Sequence, residues 1–148
     1  MNSSVPSIME GPCWRIAPVG DLPTFFRALP LLVPPDALLC LAAGAWDRGM
    51  RLFLDRHRVP PPSGLRRPRT FRGGVDLPAT SEVLAELAGL SERRAEPEVA
   101  GDIAVSHLGG QVLEWFDVPD DPFAVSRSVP VDRIATFCRQ VRVTFAMP

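Results

Sequence analysis

Apolar residues recur three or four positions apart in four segments of the chain, the spacing of one face of an α-helix. The clearest segment is 80–94, where Thr80 or Ser81 supplies the N-cap. Asp21 caps a shorter segment near the start of the chain, and Pro30 ends it. The predicted helices cover residues 22–29, 46–58, 80–94 and 130–141.

Shorter apolar runs, bounded by glycine, proline or aspartate, predict β-strands. The run 37–43 is apolar without alternation, which is typical of a strand buried on both faces. Gly109 and Gly110 separate two further runs and predict a hairpin with a two-residue loop. The predicted strands cover residues 13–19, 37–43, 70–77, 102–108, 111–118, 123–129 and 142–145.

Strands that alternate with helices and then form a three-stranded meander predict an α+β fold. We expect a single mixed β-sheet, with an antiparallel meander in the C-terminal half, packed by three to four helices. The length of 148 residues suits one domain. Residues 1–12 carry Ser, Pro and Gly without a pattern and predict a flexible tail, so the domain is expected over 13–148.

The predicted hairpin determines which side chains share a face of the sheet. With Gly109 and Gly110 as its loop, His107 faces Val112, and Glu114 is the diagonal neighbour of His107 on the same face. A histidine beside a carboxylate can act as a general base with its orienting group, which makes these two residues catalytic candidates. The same couple is also an ordinary way to satisfy two polar side chains on a half-exposed sheet.

Three aspartates and two prolines follow the hairpin. Pro119 and Pro122 lack the N–H donors that a strand ladder needs, so the segment predicts a corner of the chain. Asp117, Asp120 and Asp121 could instead offer three carboxylates to a hard cation, which makes them candidates for a metal site. Their spacing does not match an EF-hand loop, and neither histidine is close in sequence, so we expect no metal and no cofactor.

Charge is distributed unevenly along the chain. Between residues 48 and 72, eight arginines accompany one aspartate, and between residues 76 and 121, eleven acidic residues accompany two arginines. Three interpretations are open: solvated faces that partly neutralise each other, docking of another protein, and binding of phosphate or RNA by arginine forks. The candidate binding residues are Arg56, Arg58, Arg66, Arg67, Arg69 and Arg72.

Composition narrows these interpretations. The net charge of −1 is not typical of a dedicated nucleic-acid or membrane-surface protein, so a protein is the expected partner. Lysine is absent, which excludes a lysine nucleophile and a P-loop. Cys13, Cys40 and Cys138 are far apart and predict buried thiols in a reducing compartment. Neither a signal-peptide pattern nor an apolar run of membrane length occurs, so a cytoplasmic location is expected.

The stretch VLEWFDVPDDPFAVSRSVPVDRIATFC combines a strand with a Trp, a D-x-x-D-D-P turn, another strand and a short helix. In these features residues 80–145 resemble small bacterial domains that carry no established activity, so the resemblance transfers no site residue. Bacterial immunity proteins, which neutralise a toxin by binding it, are commonly of this size and class.

We therefore expect a non-enzymatic protein-binding domain, immunity- or adaptor-like, that acts through charged surface patches. One alternative is a small enzyme that uses His107 with Glu114, or the three aspartates of the corner. The other is a phosphate- or RNA-binding protein that uses the arginines between Arg48 and Arg72.

Overall fold

Four α-helices and seven strands alternate along residues 12–147, the part of the chain that the computed structural model describes. In chain order they are β1 (Cys13–Ile16), α1 (Leu22–Ala28), β2 (Leu38–Ala42), α2 (Arg48–His57), β3 (Val75–Pro78), α3 (Ser81–Ser91), β4 (Asp102–His107), β5 (Gly110–Trp115), β6 (Phe123–Ser126), α4 (Val131–Val141) and β7 (Phe145–Ala146). The tail predicted over 1–12 lies, except for residue 12, outside the described residues, so the predicted domain boundary stays a prediction.

The four predicted helices are confirmed, and side-chain caps explain where three of them begin. Asp21 Oδ1 accepts a hydrogen bond from the Thr24 N–H at 2.8 Å at the start of α1. Thr80 Oγ1 accepts from the Val83 N–H in the same way at the start of α3. For α2 the cap is Asp47, so this helix begins two residues later than predicted.

All seven strands form one sheet in the order β3-β2-β4-β5-β6-β1-β7. The α+β class and the meander β4-β5-β6 are confirmed. Every strand pairing among the described residues is antiparallel. The sheet was predicted to be mixed, and this part of the prediction is wrong. The connections through α1, α3 and α4 each pass at least one strand, so the two strands that each of them joins are not neighbours in the sheet.

One face of the sheet is covered by the helices and holds the main core. Phe25 of α1 lies at its centre, with ring centroids 4.9 Å from Trp115 and 5.7 Å from Phe123. The ring of Phe137 in α4 lies 6.2 Å from Phe25 and 6.1 Å from Phe123. Because these large side chains are fully buried, this face supplies most of the apolar burial that stabilises the fold.

The other face is covered at one end by the loop between α2 and β3. Phe71 of this loop packs on the small side chains Cys40, Ala42 and Ala104, with Phe116 beside them. Cys40 and Ala104 are direct partners in the β2–β4 ladder. Small residues at adjacent strand positions leave the space that the Phe71 ring fills.

The β4–β5 hairpin turns one residue earlier than predicted. Its loop is Leu108-Gly109, with φ values of 52° and 82°, and Gly110 is the first residue of β5. Two central residues with positive φ are the pattern of a type I′ turn, whose twist suits a two-residue hairpin. The prediction assigned the loop to the two glycines because leucine rarely adopts positive φ.

A bulge then reverses the predicted assignment of faces. Ser106 is opposite Gln111, but Val105 is opposite Leu113, so one residue of β5 is left over between them. Beyond the bulge, Leu113 and Trp115 share the helix-covered face with Val105. The predicted register put them on the opposite face and is wrong, because burial of the large apolar side chains determines the register.

Candidate functional site

The arginine-rich loop, residues 58–74, begins and returns at one edge of the sheet. At its start the Val59 N–H donates to the carbonyl oxygen of Asp76 in β3 at 2.9 Å. At its end Gly74 passes so close to β2 that an added Cβ would lie 2.7 Å from Cys40 Sγ and 2.9 Å from the Leu41 oxygen. Only glycine fits that approach, so the loop is held against the sheet at both ends.

Between these ends lies a cleft of about 920 Å³. Three exposed arginines, Arg58, Arg66 and Arg72, contribute to its lining, and three successive prolines, 60–62, form a further part. Prolines have no N–H to donate and favour an extended backbone. The lining therefore combines three prolines, which favour an extended backbone, with exposed cationic side chains.

A buried ion pair closes the cleft on the sheet side. Arg67 Nη2 donates to Asp76 Oδ1 at 2.9 Å and Arg67 Nη1 donates to Asp76 Oδ2 at 3.1 Å, a bidentate arrangement. The side chains are only 10% and 3% exposed. Burial disfavours the charged guanidinium, but the hydrogen bonds to Asp76, followed by the charges of Cys40 and Asp76, outweigh it and raise the pKa of Arg67, so the guanidinium stays charged.

The six candidate arginines thus have three different environments. Arg56 contacts Glu86, which also lies 3.0 Å from His57 Nε2, and Arg58 lies 3.4 Å from the exposed Asp55. Within residues 12–147, no acidic side chain forms an ion pair with Arg66, Arg69 or Arg72. The cleft is lined by Arg58, Arg66, Arg67 and Arg72, but not by Arg56 or Arg69.

The thiol beside the ion pair is not a nucleophile at neutral pH. Cys40 Sγ lies 3.7 Å from Arg67 Nη1 and 3.9 Å from the Phe71 oxygen. Burial, and secondarily the charge of Asp76, raises the pKa of Cys40 to about 12, although Arg67 acts in the opposite direction. Burial likewise raises the pKa of Cys138 to about 11, so both thiols are protonated near pH 7.

The predicted couple of His107 and Glu114 does not form. His107 Nε2 lies 3.0 Å from Asp36 Oδ1, while Glu114, 2% exposed, accepts from Gln111 Nε2 at 3.4 Å. Glu114 is the ladder partner of Ala104, so strand alternation puts it on the face opposite to His107. The prediction of neighbouring side chains is wrong because it relied on the unbulged register.

The acidic segment 117–121 is a hydrogen-bonded corner. The backbone carbonyl of Asp117 accepts a hydrogen bond from the Asp120 N–H at 2.9 Å. The Trp115 indole N–H donates to the backbone carbonyl of Asp121 at 2.7 Å. The Asp117 N–H donates to the carboxylate of Asp102, whose other oxygen accepts from Thr70 Oγ1 in the arginine-rich loop. Over the described range 12–147, no three His, Cys, Asp or Glu side chains are grouped to hold a metal ion.

Sequence reasoning identified the loop but missed the residues that shape the cleft. Asp76 and Cys40 carry no local signal, since one lies within a short strand and the other within a continuous apolar run. The three prolines and the Gly73-Gly74 pair were the available signs of an ordered, closely packed loop.

Comparison with known proteins adds no relative. No family model matches the chain, and neither a curated protein nor a solved structure matches it significantly. In residues 12–147, no helix has both the length and the apolarity needed to cross a bilayer.

Proposed function

We propose that this chain is a non-enzymatic protein-binding domain whose cleft receives an acidic segment of a partner protein. The observation that carries the proposal is the grouping of Arg66 and Arg72, which form no ion pair among residues 12–147, around a proline-lined cleft of about 920 Å³. Arginine forks bind carboxylates with defined geometry, and the proline wall suits an extended chain.

The nature of the lining favours protein over nucleic acid. Single-stranded nucleic acids bind to exposed aromatic rings that stack on the bases. Among the described residues that line the cleft, Phe71 is the only aromatic one, and it is fully buried. The net charge of −1 also gives little long-range attraction for a polyanion. An acidic protein segment needs neither feature.

Binding is favoured over acid–base chemistry for a related reason. Within the described part of the chain, no histidine lines the cleft, and the one carboxylate that does, Asp76, is already held by Arg67. General acid–base catalysis needs a titratable group that can reach a substrate proton. A domain that neutralises or tethers a partner, as an immunity or adaptor protein does, needs only the surface. Cys40 and Cys138 form no disulfide, as expected for the cytoplasmic location that we include in the proposal.

The test compares two double charge reversals that change the net charge equally. R66E/R72E alters the cleft, and R127E/R133E alters exposed arginines that do not line it. Fluorescence anisotropy at low salt with a labelled hexaglutamate peptide is expected to show at least about tenfold weaker binding for R66E/R72E only. Equal losses in both variants would contradict a cleft-specific site. A labelled oligouridylate that binds wild type more tightly than the peptide, and through Arg66 and Arg72, would support the RNA alternative instead.

A further inference from the structure

We propose that Asp76 is the specificity-determining residue of the cleft and restricts it to carboxylate-bearing segments, to the exclusion of phosphorylated ones. This inference rests on the proposed function and names the chemical class of its ligand. It comes from the contrast between Arg67, the enclosed arginine of the cleft, which Asp76 already pairs, and the exposed Arg66 and Arg72, which form no ion pair among residues 12–147.

The enclosed arginine is where an anion would gain the most. Arg67 is 10% exposed, whereas Arg58, Arg66 and Arg72 are exposed to solvent. Electrostatic attraction is several times stronger at a partly buried site than in water, and the advantage is larger for a doubly charged ligand. A phosphate group, with a charge of about −1.5 to −2, therefore depends most on such a site.

Asp76 withholds that site from the ligand. Its two carboxylate oxygens engage both Nη atoms of Arg67, and Cys40 Sγ lies beside Nη1. The carboxylate cannot move away easily, because Asp76 belongs to β3 and its backbone pairs with Val59 and Cys40. The enclosed pair thus has no net charge, and both Nη atoms of Arg67 are engaged, while its buried Nε has no hydrogen-bond partner among the described residues.

The remaining arginines suit single charges spread along a chain. Each is exposed and screened by water, so each contact contributes modestly. Successive aspartate or glutamate side chains of an extended segment can contact them one at a time. A compact dianion would instead need several donors at one point, as in sites where arginine clusters bind phosphate.

The experiment changes the charge of the enclosed pair in both directions. D76N leaves Arg67 unpaired, R67M leaves Asp76 unpaired, and R67M/D76N restores a neutral pair site. Each variant and wild type are titrated with two labelled hexapeptides of one sequence, carrying either three aspartates or three phosphoserines at the same positions. The quantity of interest is the ratio of the two dissociation constants, and melting temperatures are recorded in parallel.

We expect wild type to bind the aspartate peptide at least as tightly as the phosphoserine peptide. D76N should shift the ratio toward phosphoserine by about tenfold, since each further ligand charge gains from the freed cation. R67M should shift it the other way, and the double variant should return to within about twofold of wild type. Both single variants should lower the melting temperature, because each leaves a buried charge unpaired.

A charge effect and a structural effect differ in this experiment. If charge matters, D76N and R67M shift the ratio of dissociation constants in opposite directions although both lower the melting temperature. A merely structural pair would weaken both peptides alike in D76N and R67M, and that result would overturn the inference. The inference would also be overturned if wild type bound the phosphoserine peptide tenfold more tightly than the aspartate peptide, and this result does not depend on whether the variants fold. If neither peptide binds wild type, the proposed function itself fails. If both bind through Arg66 and Arg72 with a ratio insensitive to Asp76, only the present inference fails.

Discussion

The two faces of the sheet are covered in different ways. On one face, apolar stripes of the four helices pack on the sheet, and aromatic rings from helices and strands meet around Phe25. On the other, a single loop inserts Phe71 among small side chains and is fastened by polar contacts, Arg67 with Asp76 and Thr70 with Asp102. The first face is held by burial of large apolar area, and the second largely by specific polar pairs.

This difference separates stability from recognition. A face packed by helices is rigid and offers little to a ligand, while a loop held by a few contacts can carry exposed arginines and prolines without disturbing the core. Regions with few buried apolar contacts also open locally at lower free energy than the core. We therefore infer that the helix-covered face determines whether the domain folds, and the loop-covered face determines what it binds.

The largest expected effect tests this separation by removing one phenylalanine from each face. F25A should lower the free energy of unfolding by about 3–5 kcal/mol, and F71A by about 3 kcal/mol or less, because the loop can collapse into the space. Urea denaturation followed by tryptophan fluorescence measures both. F71A should also lose binding of the hexaglutamate peptide under conditions where its far-UV circular dichroism is unchanged.

Two results would contradict that picture. Equal destabilisation by F25A and F71A, with one cooperative transition in each, would mean that the loop is part of the core. Retained peptide binding in F71A would mean that the cleft does not depend on the seating of the loop.

The helix-covered face was largely predictable from the sequence, because its information is local. Caps such as Asp21 and Thr80 and the apolar spacing after them are set within one or two turns of a helix. The four helices and the meander were found in this way. The same local logic failed at Leu108, where tertiary burial of Trp115 selects a register that turn propensity alone disfavours.

The loop-covered face was not predictable in detail, because its contacts join residues distant in sequence or without local signal. The cluster of arginines was evident, but the acid partner of Arg56 is 30 residues away, and that of Arg67 lies beyond the loop in β3. Which arginines keep their charge free for a ligand depends on these partners. Sequence alone therefore gave six equivalent candidates where the structure distinguishes three environments.

A smaller effect, on the stability of the β4–β5 turn, tests which side chains lie on each face of the sheet. L108N should raise the free energy of unfolding by about 1 kcal/mol, because asparagine tolerates the positive φ that leucine adopts there at a cost. Leu108 is 90% exposed, so no core contact is lost. L108A is the matched control: it also removes exposed apolar surface but keeps a residue unsuited to positive φ, and should change stability little.

The outcome bears on the register as well as on the turn. If the loop were Gly109-Gly110, Leu108 would be a strand residue and asparagine would destabilise it. A loss of stability in L108N, measured by urea denaturation, would therefore argue against the observed turn and the face assignment that follows from it.

The smallest effect concerns a polar contact of the helical layer, between Asp47 and Arg94. Like the Arg67–Asp76 pair of the loop, it joins an arginine to an aspartate. Asp47 accepts from the Met50 N–H at 2.9 Å and from Arg94 Nε at 3.0 Å, but it is open to solvent. The Met50 hydrogen bond and then Arg94 hold the pKa of Asp47 below its usual value of 3.8. Because the folded pKa is the lower one, the stabilisation is present above about pH 4 and is lost as the pH falls through the folded pKa. Melting temperatures between pH 7 and pH 2 should thus show D47N slightly below wild type at pH 7, with the difference narrowing as the pH falls. A difference that persists at pH 2 would mean that the hydrogen-bonding geometry of the Asp47 cap matters and not its charge. Charge would then matter in the buried Arg67–Asp76 pair and not in the Asp47–Arg94 contact.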